Sequence, residues 1–377
     1  MVDESTVSSG YASVKTLLVV EQLRRKIPGG IGTYARAILE SLAKVDIGAG
    51  AELELFASRY GEAGPDPLTE YGFPLRTSKL PHPLAQRAWD RGLDLPKLAM
   101  GEVVHSFSMG GPRLRTKSNR SIFTIYDTAW IEVPETFPKR GRTWHASAFD
   151  HIRKSGSHVV TISERSHASL VRAGIEPDRL TLIPPGSDHL SVADKGATER
   201  LLSELGVGAS FILSVSTLEP RKNLQRLVEG FRRFKALNAE PIDLVVVGPK
   251  GWDDSRIDPI ADVHMAGLVS SSVLAGLLTK AASLVYVPLY EGFGLPVLEA
   301  NVSCVPVVAS DIPASEGCAL IVDPLDPDSI AYGIERSIFD TRLRSDLVTC
   351  GLMRANEMTW SRSAKGHLDL WKQLGAE

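Results

Sequence analysis

Short runs of Val, Ile and Leu recur along the whole chain, and most are continuous rather than alternating with polar residues. The first half has runs at 16–20, 52–56, 102–107, 121–126, 158–162 and 180–183. The second half has runs at 211–216, 243–248, 263–266, 283–287, 305–309 and 319–322. Continuous apolar runs are typical of strands that are buried on both faces of a parallel sheet. The pattern therefore predicts six such strands in each half.

Helical periodicity lies between many of these runs, as in residues 34–45 and 224–237, and again at the C-terminus, 368–377. Alternation of strand and helix predicts doubly wound, Rossmann-like α/β domains. Residues 60–83 carry five prolines and no clear period, so we expect an irregular excursion there.

The break at Pro184-Pro185-Gly186-Ser187 sets the expected domain boundary. We predict an N-terminal domain at 1–187, a C-terminal domain at 188–355, and a final helix within 356–377 that packs back toward the first domain. Ligands of such sheets bind at the carboxyl ends of the strands, so a central cleft between two facing domains is the expected site.

Composition removes several classes of protein. The chain has 377 residues, 43% hydrophobic and 23% charged, which excludes a disordered or fibrous protein. No apolar run approaches the roughly 18 residues of a membrane span, and the polar N-terminus does not read as a secretory signal. Cys304, Cys318 and Cys350 have no CxxC spacing, which predicts neither a disulfide framework nor a zinc site. A cytoplasmic location is the simplest expectation.

The net charge of −3 conceals a basic stretch at residues 113–154. A solvated basic face is one interpretation, and contact with anionic lipid or a phosphate-bearing acceptor is the other. Aromatic and basic residues are not interleaved there as in nucleic-acid-binding modules, so we predict no nucleic-acid partner. The basic residues include Arg113, Arg115, Lys117, Arg120, Lys139, Arg140 and Arg142.

The most informative segment is YEGFGLPVLEA, residues 290–300, which follows a predicted strand and ends in a helix pattern. Glycines permit a tight turn, and Pro296 suits the first turn of a helix. The backbone N–H groups of Phe293, Gly294 and Leu295 can then hold an anion. Glu291 and Glu299 flank this turn, and ionised carboxylates accept strong hydrogen bonds from sugar hydroxyls. The alternative makes both glutamates simple partners of the helix dipole.

A second segment, SVSTLEPRKNLQRLVEGF at 214–231, places Arg221 and Lys222 between a strand and a helix. Two cations at a carboxyl strand end match a diphosphate, and they would stabilise negative charge on a leaving group. A solvated pair is the alternative. Asn223 is the expected cap of the following helix.

A third segment, residues 28–42, contains Gly30-x-Gly32-x-x-Ala35, which imitates the dinucleotide fingerprint of dehydrogenases. Eight residues separate the preceding strand from Gly29, and no acidic residue follows the second strand, so the dehydrogenase interpretation is weak. A glycine loop over a phosphate or sugar is favoured over a purely structural turn.

Taken together, these segments resemble the retaining nucleotide-sugar glycosyltransferases of the GT-B fold, specifically their large family four. Glu291 and Glu299 within EGFGLPVLE match its signature of two glutamates separated by seven residues. TLEPRKN and GGIG match its phosphate-binding and glycine segments. Further similarity covers 124–134, 159–170, 179–188 and 320–324, so the resemblance extends over nearly the whole chain.

The resemblance implies roles for particular residues. Glu299 would hold the ribose of the nucleotide, Glu291 would contact the donor sugar, and Arg221 with Lys222 would bind the diphosphate. Gly30 and Gly32 would form the glycine loop, and Val263 with Met265 would lie beside the base. It also implies retention of configuration without a metal or other cofactor. Asp326-x-Asp328 is interpreted as a turn rather than a metal-binding DxD.

The chain departs from that family at several positions. Tyr126 replaces a frequent histidine, whereas Asp127 remains and could orient a hydroxyl of donor or acceptor. Cys304 stands where glycine is common. His105 could contact the acceptor together with Tyr126, and a satisfied structural histidine is the equal alternative.

The resemblance thus implies a hexosyltransferase that acts on a glycan or lipid-linked acceptor in bacterial polysaccharide synthesis, cytoplasmic or peripheral to the membrane. Mannose from GDP-mannose is the first choice of donor, because TLEPRKN resembles bacterial mannosyl- and rhamnosyltransferases of surface polysaccharides. A UDP-sugar donor is the second choice. A non-catalytic sugar-nucleotide-binding protein, and an epimerase or dehydrogenase on the same fold, are the rival classes.

Overall fold

A computed structural model describes residues 14–25, 29–45, 51–93, 102–112, 120–252 and 262–376. It contains two sheets of seven and six strands, both flanked by helices. The twelve predicted strands are all present, which confirms the doubly wound α/β class. Arg113, Arg115 and Lys117 of the basic stretch lie outside the described residues.

The first sheet has the order β3-β2-β1-β4-β5-β6-β7, and the neighbours from β3 to β6 pair in parallel. Its central strands β4, β5 and β6 are buried at every position, as continuous apolar runs predict. The strands are β1 Val14–Val19, β2 Ala51–Arg59, β3 Leu75–Pro81, β4 Val103–Ser106, β5 Ser121–Thr124, β6 His158–Thr161 and β7 Leu180–Leu182.

The second sheet has the order β10-β9-β8-β11-β12-β13 and is parallel throughout. The chain reverses direction between β8 and β11, so the loops after these two strands flank the switch point where α/β sheets bind ligands. The strands are β8 Ser210–Val215, β9 Ile242–Val247, β10 Val263–Gly267, β11 Ser283–Tyr286, β12 Val307–Ala309 and β13 Leu320–Ile321.

The expectation of an irregular excursion at 60–83 is wrong for its second half. Residues Leu75–Pro81 form β3, the edge strand of the first sheet, paired with β2. Pro74 precedes the strand and Pro81 ends it, and prolines are tolerated at the ends of an edge strand because no inner ladder bond is lost. The strand was missed because the segment around it is rich in proline, although the interior of the strand contains no proline.

Twelve helices lie within the described ranges, and the last three of them follow the final strand. The helix predicted at 224–237 has those bounds, and the predicted C-terminal helix is part of a longer one. The helices are α1 Gly29–Leu42, α2 His82–Asp90, α3 Ala129–Glu132, α4 Lys139–Ser155, α5 Glu164–Arg172, α6 Lys195–Leu205, α7 Leu224–Leu237, α8 Ser271–Lys280, α9 Leu295–Val302, α10 Pro327–Phe339, α11 Thr341–Glu357 and α12 Trp360–Ala376.

The core of the second sheet forms where α7 and α10 cover the same face. Leu227, Phe231 and Phe234 project at helical spacing from α7 and are almost fully buried. They pack in one apolar cluster with Leu244 of β9 and Ile334 of α10. Burial of a side chain of this size stabilises a fold by about 1.5–3 kcal/mol, so this helix fixes the sheet that carries the loops discussed below.

Contacts divide the chain into two compact units. Unit 1 comprises Met1–Thr124, Asp150–Val160 and Ala364–Glu377, and unit 2 comprises Ile125–Phe149 and Thr161–Ser363. The domain limits at residues 187 and 355 stay a prediction from the sequence. No helix in the described parts of the chain is long and apolar enough to cross a membrane.

Candidate active site

The loop between β11 and α9 carries the predicted glutamate pair. Gly294 has φ 108, a left-handed value that favours glycine, and a Cβ there would lie 2.6 Å from Cδ1 of Ile312. Pro296 lies in the first turn of α9, as predicted. The glycine turn and the proline therefore fix where the helix begins, with Glu291 before it and Glu299 at its fifth residue.

Glu291 is buried among hydrogen-bond donors. Its Oε1 accepts from Tyr286 Oη at 2.8 Å, from Arg221 Nη1 at 2.9 Å and from Lys222 Nζ. Burial raises the pKa of Glu291, but the charges of Arg221 and Lys222 outweigh it, and the pKa falls to about 2. The structure thus brings together three of the predicted site residues, with Arg221 and Lys222 around the ionised carboxylate of Glu291.

Arg221 is held in a single 3₁₀ turn, Pro220–Lys222, that follows β8. Its Nη1 also donates to the carbonyl of Tyr290 at 2.9 Å, and its Nη2 donates to Glu219 at 3.0 Å. Burial opposes its charge, but the carboxylates of Glu291, Asp127 and Glu219 raise the pKa of Arg221. Its Nε is buried without a hydrogen-bond partner among the described residues.

Asn223 differs from the expectation. It occupies the N-cap position of α7 with φ 61, but its side chain makes no capping bond. Its amide instead donates to the carbonyls of Val287 at 3.0 Å and Pro324 at 2.7 Å. A cap accepts with its side-chain oxygen, whereas this amide donates, so Asn223 fastens the Arg221–Lys222 turn to the loop after β11.

Asp127 lies beside the glutamate loop within unit 2. A Cβ on Gly292 would be 2.0 Å from the Tyr126 carbonyl oxygen and 2.7 Å from Cβ of Asp127. Thr128 Oγ1 is 2.8 Å from Tyr290 Oη, and Ser166 Oγ donates to the Tyr126 carbonyl at 3.1 Å. The segment 126–128 therefore rests directly on the backbone of 290–292, a contact that only glycine at 292 permits.

Glu299 is buried on α9 and faces His189. Its Oε1 is 2.9 Å from His189 Nε2, and His189 Nδ1 accepts from Trp360 Nε1 at 3.0 Å. Among the described residues, His189 is the one side-chain partner of this carboxylate. The sequence predicted a role for Glu299 but none for His189, which directly follows segment 179–188 of the family resemblance.

The remaining donor-site residues occupy several parts of the fold. Phe293 is buried, Leu295 is half-buried at the start of α9, and Val263 and Met265 lie on the edge strand β10. The expected glycine loop is instead the first turn of α1, where Gly29 has φ 61. Gly30 and Gly32 therefore belong to a helix N-terminus in unit 1.

His105 is a core residue of unit 1. Its Nε2 is 2.8 Å from Thr124 Oγ1, and its Nδ1 accepts from Trp371 Nε1 at 3.1 Å. The side chain has no exposed surface and its ring packs beside His367. Of the two interpretations of His105, the structure supports the satisfied structural histidine over the acceptor contact, since both ring nitrogens are bonded inside the core.

Asp326 and Asp328 lie at the N-terminus of α10. Asp326 caps α10, with Oδ1 accepting from the Asp328 backbone at 2.9 Å, and Asp328 pairs with Arg233 at 2.7 Å. The segment interpreted as a turn is therefore the beginning of a helix.

Glu219, Tyr286 and His189 are the functional candidates that sequence reasoning missed. Glu219 stands inside the TLEPRKN segment and Tyr286 at the end of a predicted strand, so their positions near a strand end were the available signal. Burial raises the pKa of Glu219, with the charges of Arg221 and Lys222 opposing it.

Comparison with known proteins gives the chemistry of the class. Residues 28–189 match the family model "Glycosyltransferase Family 4", and residues 203–350 match "Glycosyl transferases group 1". The chain is 27% identical to O-antigen chain mannosyltransferase B of Escherichia coli, over 68% of this chain and 71% of that protein. It is 29% identical to D-inositol 3-phosphate glycosyltransferase of Salinispora arenicola, over 57% of this chain and 51% of that protein.

A solved structure supports the fold. The chain superposes on Anabaena HepE, determined in complex with UDP and glucose, with a TM-score of 0.66 at 16% identity, covering 94% of this chain and 98% of that one. The two sheets agree with the GT-B architecture, and residues 28–189 and 203–350 each match a glycosyltransferase family. The chain is therefore a glycosyltransferase of the GT-B fold that resembles bacterial mannosyltransferases.

Proposed function

We propose that this chain moves a mannosyl group from GDP-mannose to a hydroxyl of a glycan or glycolipid, with retention of the anomeric configuration. The observation that carries the proposal is the ionised Glu291 between Arg221 and Lys222 at the carboxyl ends of β8 and β11. Similarity to an O-antigen mannosyltransferase supports mannose as the sugar and polysaccharide synthesis as the process.

Arg221 and Lys222 would bind the diphosphate of the donor. When the bond between the sugar C1 and the phosphate oxygen breaks, negative charge develops on the diphosphate, and adjacent cations stabilise it. The buried, unpartnered Nε of Arg221 supports this assignment, since an anion would satisfy it. Two protein cations at the leaving group could serve where other enzymes use a metal, so we propose a transfer that needs no metal or other cofactor.

Glu291 would contact hydroxyls of the donor sugar as an acceptor of hydrogen bonds. An inverting transfer needs a general base for the acceptor proton, and a carboxylate with a pKa of about 2 is a poor one. This supports retention, in which the acceptor oxygen bonds to C1 and its proton passes to the departing diphosphate oxygen. Asp127, held against Gly292, would orient a hydroxyl of donor or acceptor.

The nucleotide would bind beside the N-terminus of α9. Glu299 would accept from the ribose hydroxyls, and the N-terminal N–H groups of α9, including those of Gly294 and Leu295, would face phosphate. Val263 and Met265 would lie beside the base, Gly30 and Gly32 would offer a second helix N-terminus to the donor, and Tyr126 would face the acceptor. These assignments extend the family resemblance residue by residue.

A lipid-linked acceptor would suit the basic stretch at 113–154. Within its described part, Lys139, Arg140 and Arg142 are exposed at the start of α4. Their combined replacement by Glu should lower binding to vesicles containing anionic phosphatidylglycerol, whereas the same change at exposed Arg200, Arg342 and Lys372 should not. Equal binding by both variants would remove the membrane contact from the proposal.

Donor hydrolysis tests the central proposal without knowledge of the acceptor. The protein would be incubated with GDP-mannose, UDP-glucose, UDP-N-acetylglucosamine or NAD, with and without EDTA, and nucleotide release measured. We expect EDTA-resistant release of GDP, lost in Glu291→Gln but kept in Glu204→Gln, an exposed glutamate of α6. Proton NMR should show α-mannose as the first product. Release of UDP would reassign the donor. The proposal would be overturned if the protein binds or turns over NAD alone, or if it acts on none of these nucleotides.

A further inference from the structure

A chain of three buried side chains leads from the C-terminal helix to the glutamate of α9. Trp360 Nε1 lies 3.0 Å from His189 Nδ1, and His189 Nε2 lies 2.9 Å from Glu299 Oε1. Trp360 is 2% exposed and Glu299 is 7% exposed. The indole also meets the imidazole edge-on, with ring centroids 5.6 Å apart. The three groups are therefore in one continuous contact, in which 9% of the His189 side chain stays exposed.

The bond from Trp360 determines which nitrogen of His189 carries hydrogen. An indole N–H can only donate, so Nδ1 of His189 must accept and cannot carry a proton. In a neutral imidazole the proton then resides on Nε2, which points at Glu299 and donates to it. His189 thus presents a fixed N–H donor to one carboxylate oxygen, and Oε2 is left for a further donor.

The histidine is itself fastened to the start of α12. The backbone N–H of Trp360 donates to Asp188 Oδ1 at 2.8 Å, and the backbone N–H of Ser187 donates to the Met358 carbonyl at 2.8 Å. A Cβ on Gly186 would lie 2.2 Å from the Trp360 nitrogen. The loop carrying His189 consequently has little freedom to move relative to Trp360, and the carboxylate that it meets is held in one orientation.

We propose that His189 is a positioning residue for the nucleotide ribose, acting through Glu299, and that Trp360 sets the tautomer that makes this possible. The inference rests on the proposed function, in which Glu299 accepts from ribose hydroxyls. With one oxygen taken by His189, the other is aimed at the ligand without the loss of rotamer freedom that a loose carboxylate would suffer on binding. Two residues outside every signature segment therefore decide how well the enzyme recognises ribose.

The same helix supplies a matched control. Trp371 donates to His105 Nδ1 at 3.1 Å in the core of unit 1, with the same pairing of indole and imidazole. Replacing Trp371 by Phe removes an equivalent buried bond from a histidine that contacts Thr124 and not Glu299. Any effect that is only loss of packing or of one hydrogen bond should appear in both tryptophan variants.

The test compares GDP with 2′-deoxy- and 3′-deoxy-GDP by isothermal titration calorimetry, together with UDP and its 2′-deoxy form. Wild-type protein should prefer the ribonucleotide by about tenfold or more, the effect of a hydrogen bond to a charged group. In His189→Phe and Trp360→Phe the ratio of ribonucleotide to deoxyribonucleotide affinity should fall to about twofold or less. The carboxylate of Glu299 is then no longer held in the orientation that meets the ribose. Trp371→Phe should keep the wild-type ratio, and His189→Gln, which retains a side-chain donor, should restore part of it.

Each result decides something. A preserved ratio in His189→Phe, with binding intact, would overturn the positioning role and leave the proposed function standing. Binding of GDP without discrimination in the wild type would remove Glu299 from the ribose and the inference with it. Absence of binding by any nucleoside diphosphate would overturn the proposed function itself. Thermal unfolding of each variant checks that it is folded, and nitrogen-15 NMR of the His189 ring reads the tautomer directly, with hydrogen on Nε2 as the expected state.

Discussion

The Tyr286 hydroxyl accepts from Lys222 Nζ at 2.9 Å and donates to Glu291 Oε1 at 2.8 Å, so one phenol joins the cation and the carboxylate of the site. Tyr286 ends β11 and is fully buried, and burial raises its pKa, with the charge of Glu291 acting in the same direction. The hydroxyl therefore stays protonated and serves as a fixed donor rather than as an acid or base.

Replacing Tyr286 by Phe should lower both the turnover of the donor and the stability of the fold. The substitution removes two buried hydrogen bonds to charged groups, which should cost about 1–3 kcal/mol of folding stability. A less constrained Glu291 should lower kcat roughly tenfold, a change of about 1.4 kcal/mol in the barrier. Donor turnover and urea unfolding measure the two effects. Tyr332→Phe, which changes a half-exposed tyrosine of α10, is the control, and equal kcat in both variants would contradict the prediction.

Gly292→Ala should disrupt the site through backbone contact. The added Cβ would meet the Tyr126 carbonyl oxygen at 2.0 Å, and neither backbone can yield as a flexible side chain would. We expect a stability loss of about 1–3 kcal/mol and, because Asp127 moves with the displaced segment, a larger loss of turnover. Gly61→Ala, where nothing lies within 4 Å of the new Cβ, should leave both unchanged. Wild-type turnover in Gly292→Ala would show that the position of Asp127 is unimportant.

Most strands and the beginning of the helix after the glutamate loop were predictable because each depends on local signals. Continuous apolar runs predicted twelve of the thirteen strands in the described parts of the chain, all but β3, and Pro296 with its neighbouring glycines predicted the start of α9. Contacts between segments far apart in the chain were not predictable. Nothing local reveals that Gly292 touches Tyr126, or that His189 meets Glu299 110 positions later. Such pairings depend on how distant segments pack within unit 2, which the hydrophobic pattern does not encode.

Cys304 stores strain that glycine would relieve. It has φ 58, in the left-handed region that non-glycine residues adopt at a cost of roughly 1–2 kcal/mol. Part of that gain is offset by the greater freedom of glycine in the unfolded chain, so Cys304→Gly should stabilise the protein by about 0.5–1 kcal/mol. Cys304→Ala removes the exposed thiol but retains the Cβ and should give no such gain. Equal urea midpoints for the two variants would count against backbone strain.

The buried histidines of unit 1 should make the protein less stable in acid. Burial lowers the pKa of His367 to about 3, and burial and the neighbouring His367 lower the pKa of His105 well below 6.5. The unfolded chain binds protons below its ordinary value of about 6.5, whereas the folded chain does not until far lower pH, so stability is complete above that value and falls as pH decreases.

Each of these two histidines should contribute a loss of about 1.4 kcal/mol per pH unit below 6. Urea unfolding between pH 7.5 and 5 measures the slope. His367→Gln loses the ring that bonds Tyr34 and should be less stable at pH 7.5, but its slope should be smaller by one proton. An unchanged slope would mean that His367 is already protonated in the folded protein.

Glu219 should limit how tightly the site binds a diphosphate. It holds Arg221 Nη2 at 3.0 Å, so in the ligand-free protein a carboxylate occupies part of the guanidinium that the phosphate would need. Glu219→Gln keeps the shape but removes a negative charge near the anion. We expect lower stability by about 1–3 kcal/mol, because a buried charged partner of Arg221 is lost. Affinity for GDP should rise several-fold, since the nearby repulsion between like charges is removed, and the gain should shrink as salt increases.

Glu204→Gln is the control and should change neither the stability nor the affinity for GDP. Weaker GDP binding by a folded Glu219→Gln protein would instead indicate that Glu219 aims Arg221 at the diphosphate, which calorimetry at two salt concentrations would distinguish.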